Sequence, residues 1–305
     1  MARFRALALG ATLLALVGAC GLGGGSPNSG PTVRVGSAGF YESAFMAEVY
    51  AQVLEANGFN VVRSLQLGPR DTTFPSIERG DFDLMPEYIG SLLEFVNQGA
   101  GEATADSMAT HQRLREVLAP RGLDVLGYTP AEDKNVMVVR QPTAENLAIA
   151  RMSDLAAVQD ELTWGLPSEC ATNVLCAGAL EEYGVDFDSL EVVELDACGA
   201  EITTALNGGA VEIGQLCSTQ PDISRFGFVV IADDKNTQPA ENLAPLVRTA
   251  LLDQVGRDRL ASILDPISAQ MTTELLMQLN LRVGVDQEDF DVVAREWLQD
   301  KDLVP

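Results

Sequence analysis

Histidine is nearly missing from this chain: 305 residues contain one, His111, in the stretch SMATHQRLREVLAPRG. A Ser/His/Asp or Cys/His triad has at most that single candidate base, and no His-based metal site can be assembled. The neighbours of His111 predict a solvated position on a surface helix. Phosphate-cradling loops are missing as well. Neither a Walker-type loop nor a GxGxxG after a strand occurs, so nucleotide binding has no support. Positive charge is scarce: 20 Lys and Arg stand against 44 Asp and Glu, for a formal net charge of −24, which argues against nucleic acid as a partner. Carboxylate pairs such as Asp233 and Asp234 are common in so acidic a chain and read as solvated face. No catalytic constellation, cofactor site or metal site is expected.

What is present begins with a leader. Residues 1–19, MARFRALALGATLLALVGA, carry Arg3 and Arg5, then an uncharged apolar stretch, then small residues, the layout of a secretory signal rather than a membrane span. VGAC ends in Cys20, and residues 20–31 continue as a Gly/Ser/Pro tether with nothing to pack. The segment resembles a bacterial lipobox, which makes Cys20 the expected lipidated first residue of the mature protein. Losing the two leader arginines takes the formal charge from −24 to −26. Four cysteines remain after Cys20, namely Cys170, Cys176, Cys198 and Cys217, an even number in an exported chain. Three pairings are possible. The short local loop favours Cys170–Cys176, leaving Cys198–Cys217, with free buried thiols as the alternative.

Nearly half the residues, 47%, are hydrophobic, and the length suits one large or two medium domains. TVRVG (Thr32 to Gly36) reads as a buried strand, and ESAFMAEVYAQVLEANG places Phe45, Val49, Val53 and Leu54 at helical spacing before Gly58. NVVRSLQL is the next strand, completing a βαβ unit and predicting a parallel sheet. Residues 82–90, FDLMPEYIG, form an apolar run that stops at Pro86 and is followed at once by Glu87 and Tyr88. AVEIGQLCST, from Ala210, repeats the move: aligning Gly80 with Gly209 sets Asp83 on Glu212 and Leu84 on Ile213, as two similar lobes would. The extended segments KNVMVVR and NLAPLVR are expected to carry the chain between lobes. One lobe then comprises 32–136 plus 244–305 and the other 137–243, with a hinge near residues 136 and 243. Ligands of open α/β sheets sit beyond the carboxyl ends of the strands, so Glu87 and Tyr88 are expected to face a cleft.

Six stretches, in order and at compatible spacing, resemble the substrate-binding proteins of ABC importers for osmoprotectants, of glycine betaine/choline/carnitine type. They are VGSAGFYESAFMAEVYAQVLEANGFNV, IERGDFDLMPEYIGSLLEF, AEDKNVMVV, SECATNVLCAGALEEYGVDF, ADDKNTQPAENLAPLVR and LNLRVGVDQEDFDVVAREWL. The resemblance implies an α/β type II periplasmic-binding-protein fold, two lobes with mostly parallel sheets and a hinge of two crossing segments. It also implies a small-molecule solute, a partner ABC permease with its ATPase, and a monomer outside the cytoplasm, held to the membrane by lipid alone. In that family aromatic rings hold a cationic headgroup, because a quaternary ammonium has no hydrogen to donate and ring faces supply the attraction. Tyr88 matches a box tyrosine, and Ser91 a small hydroxyl one turn on. Phe40 and Tyr41 fall in the first strand-to-helix loop, where either ring contacts ligand or simply packs. Asn173, Ser218 and Thr219 are expected to supply polar contacts from the second lobe, and Asp133, Glu241 and Asn242 to lie near the hinge.

The chain departs from the family pattern at four positions. Asn135 and Cys217 stand where tyrosines are common, Asn173 where many relatives carry an arginine for a carboxylate, and Glu241 where a box tyrosine is typical. Glu241 either faces a cation directly or is solvated. The expected function is capture of a cationic or zwitterionic solute for import. The alternatives are a same-fold protein for another solute (amino-acid-like, polyamine or aromatic), a ligand sensor, and an extracellular enzyme built on paired carboxylates.

Overall fold

The computed structural model describes residues 30–195 and 198–305. The expected leader, Cys20 and the tether up to residue 29 lie outside the described residues. Among the described residues ten strands form two sheets: β1 (Thr32–Gly36), β2 (Asn60–Ser64), β3 (Leu84–Tyr88), β4 (Leu123–Val125), β5 (Asn135–Arg140), β6 (Thr163–Leu166), β7 (Glu191–Glu194), β8 (Ile213–Cys217), β9 (Phe228–Val230) and β10 (Leu243–Arg248). The first sheet has the order β2-β1-β3-β10-β4 and the second β7-β6-β8-β5-β9. In each, four strands run one way, and the strand that enters from the other lobe, β10 or β5, runs against both of its neighbours.

The βαβ unit is present: β1 and β2 pair in parallel from Thr32↔Asn60 to Gly36↔Ser64, joined by the helix Tyr41–Ala56. Phe45, Val49, Val53 and Leu54 are buried as expected, but so are eight more of the helix's sixteen residues. The helix is covered on both sides, by the sheet and by the carboxyl-terminal helices that carry Leu260, Leu276 and Trp297 into the same core. The opposite face of the sheet buries Phe74, Ile77, Leu92 and Leu114. Along β3, Leu84 faces the first core and Met85 the second, the alternation of a strand buried on both faces.

Strand β3 does not stop at Pro86. It continues to Tyr88, with Pro86 opposite Pro245 of β10. The ladder tolerates the facing prolines because they fall at a pair that exchanges no hydrogen bonds: the bonded positions include Ile89 N–H to the Asn242 carbonyl and Arg248 N–H to the Asp83 carbonyl, which puts Pro86 and Pro245 out of step with them. The echo between the lobes is structural: Gly80 and Gly209 both end helices in the left-handed conformation, at φ 84° and 76°. Asp83 accepts from Arg248 at the end of β10 (3.2 Å), and Glu212 faces Arg140 at the end of β5 (3.8 Å). A Cβ at residue 80 would stand 2.7 Å from the Arg248 guanidinium and displace it, and the left-handed φ is what favours glycine there.

Both favoured disulfides are formed, Cys170–Cys176 and Cys198–Cys217. His111 is half-buried rather than solvated: its Nε2 meets the Leu126 carbonyl at 2.8 Å and its ring packs on Tyr128 at 5.1 Å. Burial lowers its basicity. The short connection back from its helix to β4 brings that carbonyl within reach, which the sequence neighbours of His111 do not reveal.

Candidate functional site

The site is built where strands end. After β1 the chain turns at Phe40 into the helix Tyr41–Ala56, so Phe40, Tyr41 and Glu42 gather at the carboxyl edge of the first sheet, beside Tyr88 at the end of β3. The Phe40 and Tyr88 rings are stacked, with centroids 6.2 Å apart and planes 24° apart. Phe40 is 43% exposed, so that ring is open to a ligand rather than packed away. Tyr41 is tighter: a Cβ at residue 284 would lie 3.1 Å from its ring.

Two connectors join the sheets, one between β4 and β5 and one between β9 and β10. They run side by side, bridged at Glu132↔Asn242 and by the Asp133 N–H to the Glu241 carbonyl at 3.0 Å. The Asn242 Nδ2 is engaged within the first lobe, donating to the Thr129 carbonyl at 2.9 Å, while among the described residues its side-chain oxygen has no partner. Ser218 is engaged as well: its hydroxyl accepts from the Lys134 N–H (2.9 Å) and donates to the Glu132 carbonyl (2.7 Å).

Three carboxylates converge on the cleft. Glu42, 3% exposed, accepts from the Tyr88 hydroxyl and from Asn280 Nδ2; burial pushes it up to about 7, with Asp133 adding to the rise. Asp133 accepts from the Thr219 hydroxyl at 2.7 Å, and burial raises it too. Glu241 accepts from the Ser91 N–H at 3.0 Å, and burial pushes it up to about 7 against the pull of Arg70. Arg70 does not face the cleft as a free cation. It is held by Glu87 at 2.8 Å and donates to the Ser91 hydroxyl at 2.8 Å. That accounts for Glu87, which points to Arg70 while Tyr88 points to Glu42.

Two cavities occupy the cleft and meet at Asp133. One, of about 300 Å³, lies between Phe40, Tyr41 and Glu42 on one side and Cys198, Cys217 and Thr219 on the other. The second, of about 190 Å³, lies between Tyr88, Ser91 and Glu241 and the facing Asn135, Leu175 and Gln238. Among the described residues, those lining the two cavities include three acids and no lysine or arginine. Asn173, Ser218 and Asn242 line neither, and the Asn173 side-chain oxygen caps a local turn by accepting from the Leu175 N–H at 2.9 Å. Sequence reasoning passed over Glu42, Gln220, Leu175 and Gln238. Glu42 carried one signal, its place directly after the two rings at the start of a helix. Among the described residues no group of three or more His, Cys, Asp or Glu is placed to hold a metal ion.

Paired lobes of this connectivity, with the cavities at the strand ends between them, define a two-lobed solute-binding protein. A family model described as the substrate-binding domain of ABC-type glycine betaine transport systems matches residues 31–300, and the chain belongs to that family. The chain is 28% identical over 283 residues to a glycine-betaine-binding protein of Pseudomonas aeruginosa, covering 90% of this chain and 89% of that one. It is 26% identical over 279 residues to the glycine betaine-binding protein YehZ of Escherichia coli, covering 88% and 90%. The structure of apo YehZ superposes with a TM-score of 0.74 at 24% identity, covering 92% of this chain and 100% of that one. A structure described as a glycine betaine/carnitine/choline ABC transporter gives 0.80 at 19%, covering 90% and 99%. These two superpositions speak for the fold. The family is one of extracytoplasmic solute-binding proteins that work with an ABC permease, not an enzyme family. Among the described residues no helix is long and apolar enough to cross a membrane.

Proposed function

We propose that this protein is the lipid-anchored solute-binding component of an ABC importer, tethered through Cys20, monomeric, and without catalytic activity. It captures a cationic or zwitterionic osmoprotectant-like solute between its lobes and delivers it to a permease powered by a partner ATPase. The observation that carries the reading is the cleft lining: Glu42, Asp133 and Glu241 beside the stacked Phe40 and Tyr88, with no lysine or arginine. Ring faces attract a cation that cannot donate hydrogen bonds, and desolvated carboxylates strengthen the field. Tyr88 and Phe40 hold the cation from the first lobe, and Asn135 and Thr219 supply polar contacts from the second. Binding closes the lobes about the paired connectors, near residues 136 and 243, because the two halves of the site meet only when the cleft is shut.

A solute other than betaine is favoured by three of the departures from the family pattern. Cys217 is committed to a disulfide, while Asn135 and Glu241 offer hydrogen-bond acceptors in place of rings. The test is a thermal-shift screen of residues 30–305 against glycine betaine, choline, carnitine, ectoine, proline, polyamines and anionic solutes of similar size. A ligand that binds only the folded state raises the melting temperature by mass action. Cations or zwitterions are expected to raise it and anions not. Tyr88→Ala is expected to weaken the bound solute by about 1–2 kcal/mol, roughly five- to thirty-fold, through the lost ring face. A shift from anions alone would overturn the reading.

A further inference from the structure

Behind the cleft lies a further cavity of about 170 Å³ in the second lobe. It shares Asn135, Leu175 and Gln238 with the cleft cavity that contains Glu241 and Tyr88, so the two spaces adjoin through those three residues. Its character is different. Buried Met137, Met152, Leu180 and Ile231 line it, each at most 7% exposed. Asn135 and Met137 lie two apart on β5 and so project from the same face. The lining therefore passes from polar at the cleft to apolar behind it.

The charged groups on this wall are already engaged. Lys134 is paired with Glu132 at 2.9 Å, and Asp233 accepts from the Tyr183 hydroxyl and from the Thr237 and Gln238 N–H groups at 3.0 Å each. Gln215 is not engaged in the same way. It lies opposite Met137 in the β5–β8 pair and is 3% exposed. Its side-chain oxygen stands 3.0 Å from Cys176 Sγ, and that sulfur belongs to a disulfide and has no hydrogen to give. Among the described residues this buried amide has no side-chain donor, at a cavity wall where a ligand would supply one. The space opens to solvent beside the exposed Val230 and matches in size an engineered cavity of about 150 Å³ known to hold benzene.

We infer that the solute site continues into the second lobe as a pocket for an uncharged arm of the ligand, mainly apolar and about the size of one six-membered ring. The inference rests on the cation-binding reading above and extends it from a headgroup to a headgroup with an arm. Met137 and Met152 suit such an occupant because their flexible thioether chains adapt to ring edges and short aliphatic chains alike.

The test is a calorimetric series on residues 30–305 with tetramethylammonium, n-butyltrimethylammonium and benzyltrimethylammonium. These share a headgroup and differ only in the arm. The armed compounds are expected to bind at least tenfold tighter than tetramethylammonium. Ala179→Leu, which fills the cavity from the helix Ala177–Glu182, is expected to abolish that advantage and leave tetramethylammonium within twofold. Should that variant not fold, Met152→Phe fills the same space from a different element. Equal affinity across the series, or a filling variant that weakens all three compounds alike, would overturn the pocket and leave the cation reading standing. If no member of the series binds, the pocket as stated falls, and the thermal-shift screen decides separately whether the cation reading falls with it.

Discussion

Burial sets the Glu241 carboxyl at about 7, within the range a living cell's surroundings cover. A cation bound beside it favours the ionised form, so affinity should rise as pH rises through that value and fall as pH drops below it. The ionised fraction changes about tenfold between pH 6 and pH 8 for a group titrating at 7, and the dissociation constant should follow. Calorimetry at the two pH values checks this: about tenfold weaker binding is expected at pH 6, with Glu241→Gln making the profile shallower and Glu42, also pushed up to about 7, accounting for the slope that is left. A wild-type profile already flat would mean that Glu241 does not see the solute's charge. Sequence reasoning placed Glu241 here and left open whether it faced a cation or solvent. Glu42 escaped it for a physical reason. One acid among 44 is marked locally only by the two rings before it, and its buried partner Asn280 lies 238 positions further along the chain.

Among elements, the strand-helix-strand start and the matched glycines Gly80 and Gly209 before β3 and β8 were legible because each is fixed by neighbours in sequence. The path of β3 through Pro86 was not, since it depends on Pro245 of a strand made much later. The disulfides stand between these cases: spacing favoured the short loop, and the other pair followed. Both tie the second lobe, and the chain-entropy argument ranks them. The sequence separation is 6 for Cys170–Cys176 and 19 for Cys198–Cys217, which corresponds to about 2 and about 3 kcal/mol. Paired Cys→Ser variants unfolded in denaturant should lose stability in that order. Removing Cys198–Cys217 should also weaken solute binding, because both residues line the cavity beneath Phe40 and Tyr41, whereas the reverse order of stability would contradict the entropy argument.

For the whole molecule, one side chain joins the two lobes directly. Asn280 Nδ2 donates both to Glu42 in the first lobe and, at 3.1 Å, to the Thr219 carbonyl in the second. Asn280→Ala should let the ligand-free lobes part further than in the wild type, seen as a larger radius of gyration by small-angle scattering, and the radius should return to the wild-type liganded value at saturating solute. An unchanged radius would show that the lobes are held by other contacts. The two sheets also differ in how the chain supplies them. All five strands of the second come from one continuous stretch, β5 to β9, whereas the first waits for β10, which sits between β3 and β4. Until β10 arrives, β4 has no strand to pair with. A chain emerging amino-terminus first can therefore complete its later lobe while the earlier one is still a half-sheet with an open edge, so the half begun first is the half finished last.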